Sequence, residues 1–244
     1  MNRFFCAEPF IFEDTILIKD KDKVRHIKLV LRLTPKEEVL VFDKHGVEYY
    51  CVIQKIAEEV ALKVKAKRLP DKNNPEVNLT IACAIPKKAK FDDIVDKLTQ
   101  LGVAKIIPLM TQRVVVRLDR KKAENRLKRW RKIAESAAQQ SQRNNIPVIG
   151  EVQKFKEILR VAKDFDLRLI PTLSGPRKPL PEVFSLPASD ILVLIGPEGD
   201  FSDEELAAAK VAGFIPITLG DLVLRVDTAA VAIAAIIKNS PGCF

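Results

Sequence analysis

The chain is short of the residues that metal and imidazole chemistry require. It holds two histidines in 244 residues, His26 and His45, too few for a histidine triad or a multi-histidine metal site. Its four cysteines, Cys6, Cys51, Cys83 and Cys243, are scattered and form no C-x-x-C pair. That spacing argues against a structural zinc site and against a disulfide framework, and it fits a reducing cytoplasm. The simplest reading is four unrelated small hydrophobes. Long apolar runs are missing too. The longest, 229–237, spans nine residues, against the ~18 that a membrane helix needs. The first residues carry Arg3, Glu8, Glu13 and Asp14 and no apolar stretch of the secretory kind. A cytoplasmic protein with no membrane partner is expected. Neither the phosphate-binding pattern G-x-x-x-x-G-K-[ST] nor the dinucleotide pattern G-x-G-x-x-G occurs, and there is no internal repeat or low-complexity tract.

What is present is ordinary in amount and uneven in placement. The composition, 47% hydrophobic and 30% charged, is that of a folded chain able to bury a core. The net charge of +9 is concentrated: residues 111–132 hold ten basic and two acidic side chains, a local excess of +8. Arg113, Arg117, Arg126 and Arg129 belong to this run. Localised positive charge suits a phosphate-backbone partner. Taken in isolation, the same run reads first as a solvated helix face.

The patterning divides the chain. Residues 1–70 read as β-rich, with short β-prone runs at 39–43, 49–53 and 60–64 and a basic helical stretch between Asp20 and Leu33. Leu69-Pro70-Asp71-Lys72-Asn73-Asn74-Pro75 reads as a linker. From 76 to 244 strands and helices alternate. Strands are expected at 77–84, 105–109, 167–171, 191–195 and 214–219, and helices at 91–101, 123–141, after Ser202, and at 228–238. Ser202 with Glu205 three residues on is a capping-box signature. Such alternation predicts an α/β unit with a parallel sheet covered on both faces.

Two glycine loops stand where buried strands should end: Gly196-Pro197-Glu198-Gly199, and Leu219-Gly220-Asp221-Leu222-Val223-Leu224-Arg225. Ligands of open α/β sheets bind outside the carboxyl ends of the strands, and glycine lets main chain approach a ligand closely. Each loop also reads as a plain turn. Arg225 reads as a surface or paired arginine, or as a group that orients a ligand or phosphate. Gln139-Gln140-Ser141-Gln142-Arg143 reads as polar capping, or as amides and a guanidinium suited to base edges and phosphates.

Taken together and in order, these motifs resemble one family. Arg25-His26-Ile27-Lys28-Leu29-Val30-Leu31-Arg32, Ile85-Pro86-Lys87, Lys97-Leu98-Thr99-Gln100-Leu101-Gly102-Val103, Thr111-Gln112-Arg113, Arg129-Trp130, Gln140-Ser141-x-Arg143 and the two glycine loops with their flanks are similar to the 16S ribosomal RNA uridine-N3 methyltransferases of the SPOUT superfamily. The resemblance covers nearly the whole chain. It implies an N-terminal PUA-like β-barrel (1–70) that binds RNA and a SPOUT methyltransferase domain (76–244) with a deep trefoil knot. It implies S-adenosylmethionine as cofactor, the small ribosomal subunit's 16S RNA as partner, a homodimer and no metal. The cofactor residues it implies are Thr172, Leu173, Ile195, Gly196, Pro197, Glu198, Gly199, Leu219, Gly220, Leu224 and Arg225. Arg225 is the implied catalytic residue, and Arg25, Arg32, Arg113, Arg126, Arg129, Gln140 and Arg143 are the implied RNA contacts. The chain departs from the family pattern at Gln100 and Gln139 (usually glutamate), Asp200 and Gln142 (usually glycine), Leu222-Val223 (usually arginine-isoleucine) and Asp227 (usually glutamate). A non-catalytic RNA-binding or ribosome-assembly protein, and a methyltransferase acting on another RNA position, are the alternative readings.

Overall fold

The computed structural model describes residues 1–12, 14–70, 77–86, 90–114, 119–183 and 188–239. Arg117, Lys87, Cys243 and most of the expected linker lie outside the described residues. The chain forms two compact units. One comprises residues 1–72 and 138–146, the other 73–137 and 147–244.

The first unit carries β1 (Asn2–Phe5), β2 (Phe10–Phe12), β3 (Thr15–Ile18), α1 (Lys21–Arg25), β4 (Glu38–Phe42), β5 (Glu48–Ile56) and β6 (Val60–Arg68). Their sheet runs β1-β4-β5-β6-β3-β2, antiparallel except for the β1–β4 pair. Alternation places Val39, Val41, Cys51, Ile53, Val60 and Leu62 on the buried side, where Ile16, Ile18 and Ile27 join them. Asp20 caps α1 by accepting from the Asp22 and Lys23 amides at 2.9 and 3.1 Å. The helix continues as a π turn, His26–Val30, and stops where Arg32 turns to φ +52°. The basic stretch is thus helical as expected, with Val24 and Ile27 inward and Arg25 and Arg32 outward. The unit also includes the turn at 138–146, where the Arg3 guanidinium donates to Asn144. No local pattern in the sequence marks that segment as part of the first unit.

The second unit follows with β7 (Asn78–Ala84), α2 (Lys90–Gln100), β8 (Lys105–Met110), α3 (Arg120–Gln140), β9 (Val148–Ile149), β10 (Gln153–Lys154), α4 (Phe155–Val161), β11 (Leu167–Pro171), β12 (Lys178–Pro179), α5 (Leu180–Val183), β13 (Asp190–Ile195), α6 (Asp203–Val211), β14 (Ile215–Thr218) and α7 (Val226–Asn239). The last residues of α3 group with the first unit. The sheet is parallel in the order β10-β8-β7-β13-β11-β14-β12, with β9 on β8. Central β7 and β13 are apolar without alternation because both of their faces are covered. On one face Phe155 and Ile158 of α4 and Leu206 and Ala209 of α6 pack with Leu192, Leu194 and Phe201. On the other, α7 packs against α2 and β7. The five expected strands and the helices α2, α3, α6 and α7 are present, with ends shifted by at most three residues. The short strands β9, β10 and β12 and the helices α4 and α5 are additions to the sequence reading.

Trp130 joins α3 to α2. Its indole is buried against the Phe91 ring, centroids 4.5 Å apart, and Nε1 donates to Asp92 Oδ1 at 3.0 Å. Removing so large a buried ring costs about 3–5 kcal/mol.

Candidate active site

Three neighbouring strands end in three loops. In the sheet, β11 lies between β13 and β14, so all three parallel carboxyl ends point the same way. The loops after them, at 172–177, 196–200 and 219–224, line one cleft enclosing about 600 Å³ of space open to solvent. Convergence follows from strand order, not from proximity in sequence: more than forty residues separate the first loop from the last.

Local chemistry shapes each loop. Gly196 admits the Phe201 ring: a Cβ there would lie 2.9 Å from a ring carbon. Phe201 is itself buried beneath the loop. Gly220 takes φ +120°, in a region that side chains disfavour, and its amide bonds Thr218 Oγ1 at 3.2 Å. Ser202 and Glu205 form the expected capping box: the Glu205 amide donates to Ser202 Oγ at 3.2 Å and the Ser202 amide to Glu205 Oε2 at 3.1 Å. The second carboxylate oxygen, Oε1, accepts from the Gln112 amide at 2.8 Å. The cap of α6 is therefore tied to the turn after β8.

Of the cofactor residues expected from sequence, Thr172, Leu173, Ile195, Gly196, Pro197, Glu198, Leu219, Gly220 and Leu224 line the cleft. Gly199 stands outside the lining and accepts from Arg113 Nη1 at 2.7 Å. Arg225 also stands outside it. Its side chain is exposed, while Leu224 and Val226 on either side of it line the cleft. Sequence reasoning missed Arg177, a lining residue. Asp200, Leu222 and Val223, noted in the sequence as departures from the family pattern, line the cleft as well. Arg177 had no local signal, since only the tertiary fold brings the 172–177 loop against the others.

Two departures from the family pattern fall on unusual backbone. Asp200 and Gln142 both take φ +59°, which explains a preference for glycine at these positions. A third has a local partner: Gln100 Nε2 donates to Asp96 at 2.7 Å, a bond that a glutamate carboxylate cannot make to another carboxylate.

Beneath the cleft lies Cys83, at the end of β7. Burial raises its thiol well above the ordinary cysteine range, and the carboxylates of Asp227 and Glu198 push it the same way. It is a protonated, inert thiol at neutral pH. The structure offers no group of three or more His, Cys, Asp or Glu able to hold a metal among the described residues.

The residues expected to contact RNA fall in both units. Arg25 and Arg32 lie exposed around the helical stretch of the first unit, with Gln140 and half-buried Arg143 at its 138–146 segment. Arg113, Arg126 and Arg129 belong to the second. The basic run is partly paired: Arg129 with Asp92 at 2.6 Å, Arg120 with Glu124 at 3.2 Å and Lys122 with Asp119 at 3.0 Å. Glu124 and Asp119 are already counted in the local excess, so of these partners only Asp92, from α2, lowers it further. Among the described residues, no helix is long and apolar enough to cross a membrane.

A β-rich unit joined to a parallel α/β unit with a loop-built cleft is the architecture of a known class. Residues 72–238 match the family model described as an RNA methyltransferase domain, and residues 18–65 match the one described as an RNA methyltransferase PUA domain. The ribosomal RNA small subunit methyltransferase E of Bacillus subtilis is 30% identical over 85% of this chain and 84% of its own length. That of Mesomycoplasma hyopneumoniae is 31% identical over 95% and 96%. The crystal structure of a ribosomal RNA small subunit methyltransferase E from Neisseria gonorrhoeae, bound to S-adenosyl methionine, is 29% identical. It superposes with a TM-score of 0.85 over 97% of this chain and 96% of that one. The chain belongs to the ribosomal RNA small subunit methyltransferase E family of RNA methyltransferases.

Proposed function

We propose that the chain transfers a methyl group from S-adenosylmethionine to N3 of a uridine in 16S ribosomal RNA, as a cytoplasmic homodimer acting on the small ribosomal subunit. The observation that carries this reading is the convergence of the 172–177, 196–200 and 219–224 loops on one cleft. The lining suits the donor. Ile195, Ile217, Leu224 and Val226 offer an apolar wall for an adenine ring, and the carboxylates of Glu198 and Asp200 suit a cationic ligand. When bound, the donor supplies an electrophilic methyl on a sulfonium sulfur, a transfer that needs neither a metal nor a covalent enzyme intermediate. The inert Cys83 thiol agrees with that chemistry.

The residues of this chain then have three tasks. Main-chain groups of the 196–199 and 219–224 loops bind and orient the donor, so that rate enhancement comes mainly from in-line placement. Arg225, exposed between two lining residues, stabilises the negative charge that grows on the uracil carbonyl oxygens as N3 loses its proton. Arg25, Arg32, Arg113, Arg126, Arg129, Gln140 and Arg143 hold the surrounding RNA, the cations by its phosphates. N3 lies on the Watson–Crick edge, so the target base is unpaired or drawn out of its stack. Trefoil-knotted threading of the 196–200 and 219–224 loops, and a second subunit contributing to the RNA side, belong to the same proposal.

The test has two parts. Calorimetry should give micromolar or tighter binding of S-adenosylmethionine. Mass spectrometry of ribosomal RNA from a strain lacking the gene should show one base-methylated uridine lost. Absence of binding at millimolar cofactor would favour the non-catalytic RNA-binding protein. Loss of a ribose methyl instead would move the reaction to another position.

A further inference from the structure

Asp200 has an unfavourable backbone and an unusually complete set of partners. Its φ of +59° lies in the left-handed region, at a cost that glycine would avoid. Its carboxylate nevertheless makes three contacts. Oδ1 accepts from its neighbour's amide, Phe201 N, at 2.8 Å. Oδ2 accepts from Thr172 Oγ1 and from the Leu173 amide, both at 2.8 Å. Thr172 Oγ1 in turn accepts from the Ser174 amide at 3.2 Å, and the Thr172 carbonyl accepts from Arg177 Nη1 at 3.1 Å. One half-buried carboxylate thus orders the polar groups of the turn at 172–174 and ties that turn to the loop after β13.

Both loops are walls of the cleft, and Thr172, Leu173, Arg177 and Asp200 all line it. Without the carboxylate the Leu173 amide and the Thr172 hydroxyl have no shared acceptor, and the 172–174 turn keeps the Thr172 amide on the Ile217 carbonyl at 3.3 Å. Ordering a loop before the ligand arrives removes that cost from binding. Hydrogen bonds to an ionised acceptor are the strong kind.

We propose that Asp200 is a positioning residue that clamps the 172–174 turn against the 196–200 loop and so keeps the methyl-donor cleft pre-formed. The proposal rests on the reading of this cleft as the S-adenosylmethionine site. It makes Asp200 a determinant of donor affinity rather than of the chemical step.

Asp200→Gly separates the clamp from the backbone, since glycine relaxes φ +59° while removing the carboxylate. Its melting temperature should equal or exceed that of the native chain. Its dissociation constant for S-adenosylmethionine should rise about tenfold or more, as expected for losing charge-assisted bonds. The loss should fall on KM for the donor rather than on kcat, and Asp200→Asn, with one amide oxygen left to accept, should recover part of it. Amide exchange at Leu173 and Ser174 should be protected in the native chain and fast in Asp200→Gly. Unchanged donor affinity in Asp200→Gly, or protection of both amides retained, overturns the clamp while leaving the cleft assignment intact. Failure of the native chain to bind S-adenosylmethionine overturns the cleft assignment and the clamp together.

Discussion

The Arg113 guanidinium donates to the Gly199 carbonyl at 2.7 Å, and the methylene beside it sits 3.7 Å from where a Gly199 Cβ would be. An arginine expected from sequence to grip RNA therefore braces the outer side of a cleft loop. Arg113→Ala should weaken S-adenosylmethionine binding about three- to tenfold, the value of one charge-assisted bond. Calorimetry measures this directly. An unchanged cofactor affinity, with a shallower salt dependence of RNA binding, would leave Arg113 with the RNA-contact role alone.

Arg225→Ala should lower kcat about 10²–10³-fold, as removal of a charge-stabilising donor does elsewhere. Cofactor affinity should stay within about threefold, because the side chain stands outside the lining. Single-turnover methylation with saturating donor separates the two effects. A variant with native turnover would have no catalytic arginine at this position.

The basic helix α3 calls for two different substitutions. Arg126 is half-buried on it, and Arg129 is bound to Asp92. Arg126→Glu should weaken RNA binding and make its salt slope shallower by about one, without lowering stability. Arg129→Glu should destabilise as well, because it sets a carboxylate beside Asp92. Filter binding across a salt series and urea unfolding, followed by the single tryptophan, read both outcomes.

The opposite end of the sheet offers a pH test. Asp166 Oδ2 accepts from the Asp190 and Ser189 amides at 2.9 and 3.0 Å. These bonds, the Asp190 amide first, hold its carboxyl below the ordinary aspartate value. A depressed carboxylate contributes stability above its unfolded value and loses it as pH falls. Asp166→Asn, which keeps an oxygen able to accept both amides, should melt below the native chain at pH 7. The gap should close as pH drops below about 3.8. A gap that stays constant with pH would mean that the charge contributes nothing.

Much of the fold was legible because its signals are local. The apolar runs of β7 and β13 mark strands buried on both faces. Ser202 and Glu205 announce the start of α6 three residues apart, and the structure pairs them as the pattern requires. Helix α4 went unread although Phe155, Ile158 and Ala162 recur at helical spacing. At seven residues it is too short for periodicity to stand out. The 138–146 segment groups with the first unit through contacts such as Arg3 with Asn144, more than a hundred residues apart, and pattern has no reach at that distance.

Local pattern was enough to establish a parallel α/β unit joined to a β-rich one, with main-chain loops at the carboxyl ends of its late strands. Periodicity, caps and glycines are read over a few residues and need no knowledge of neighbours. Which of those loops share a cleft, and which charges are spoken for, came from long-range packing. Strand order set β11 between β13 and β14, which brought Arg177 and Asp200 into the lining. The packing of the unit likewise sets Arg113 on Gly199 and Arg129 on Asp92. A side chain's partner depends on what folding places within about 3 Å of it, and that distance is set by the whole chain.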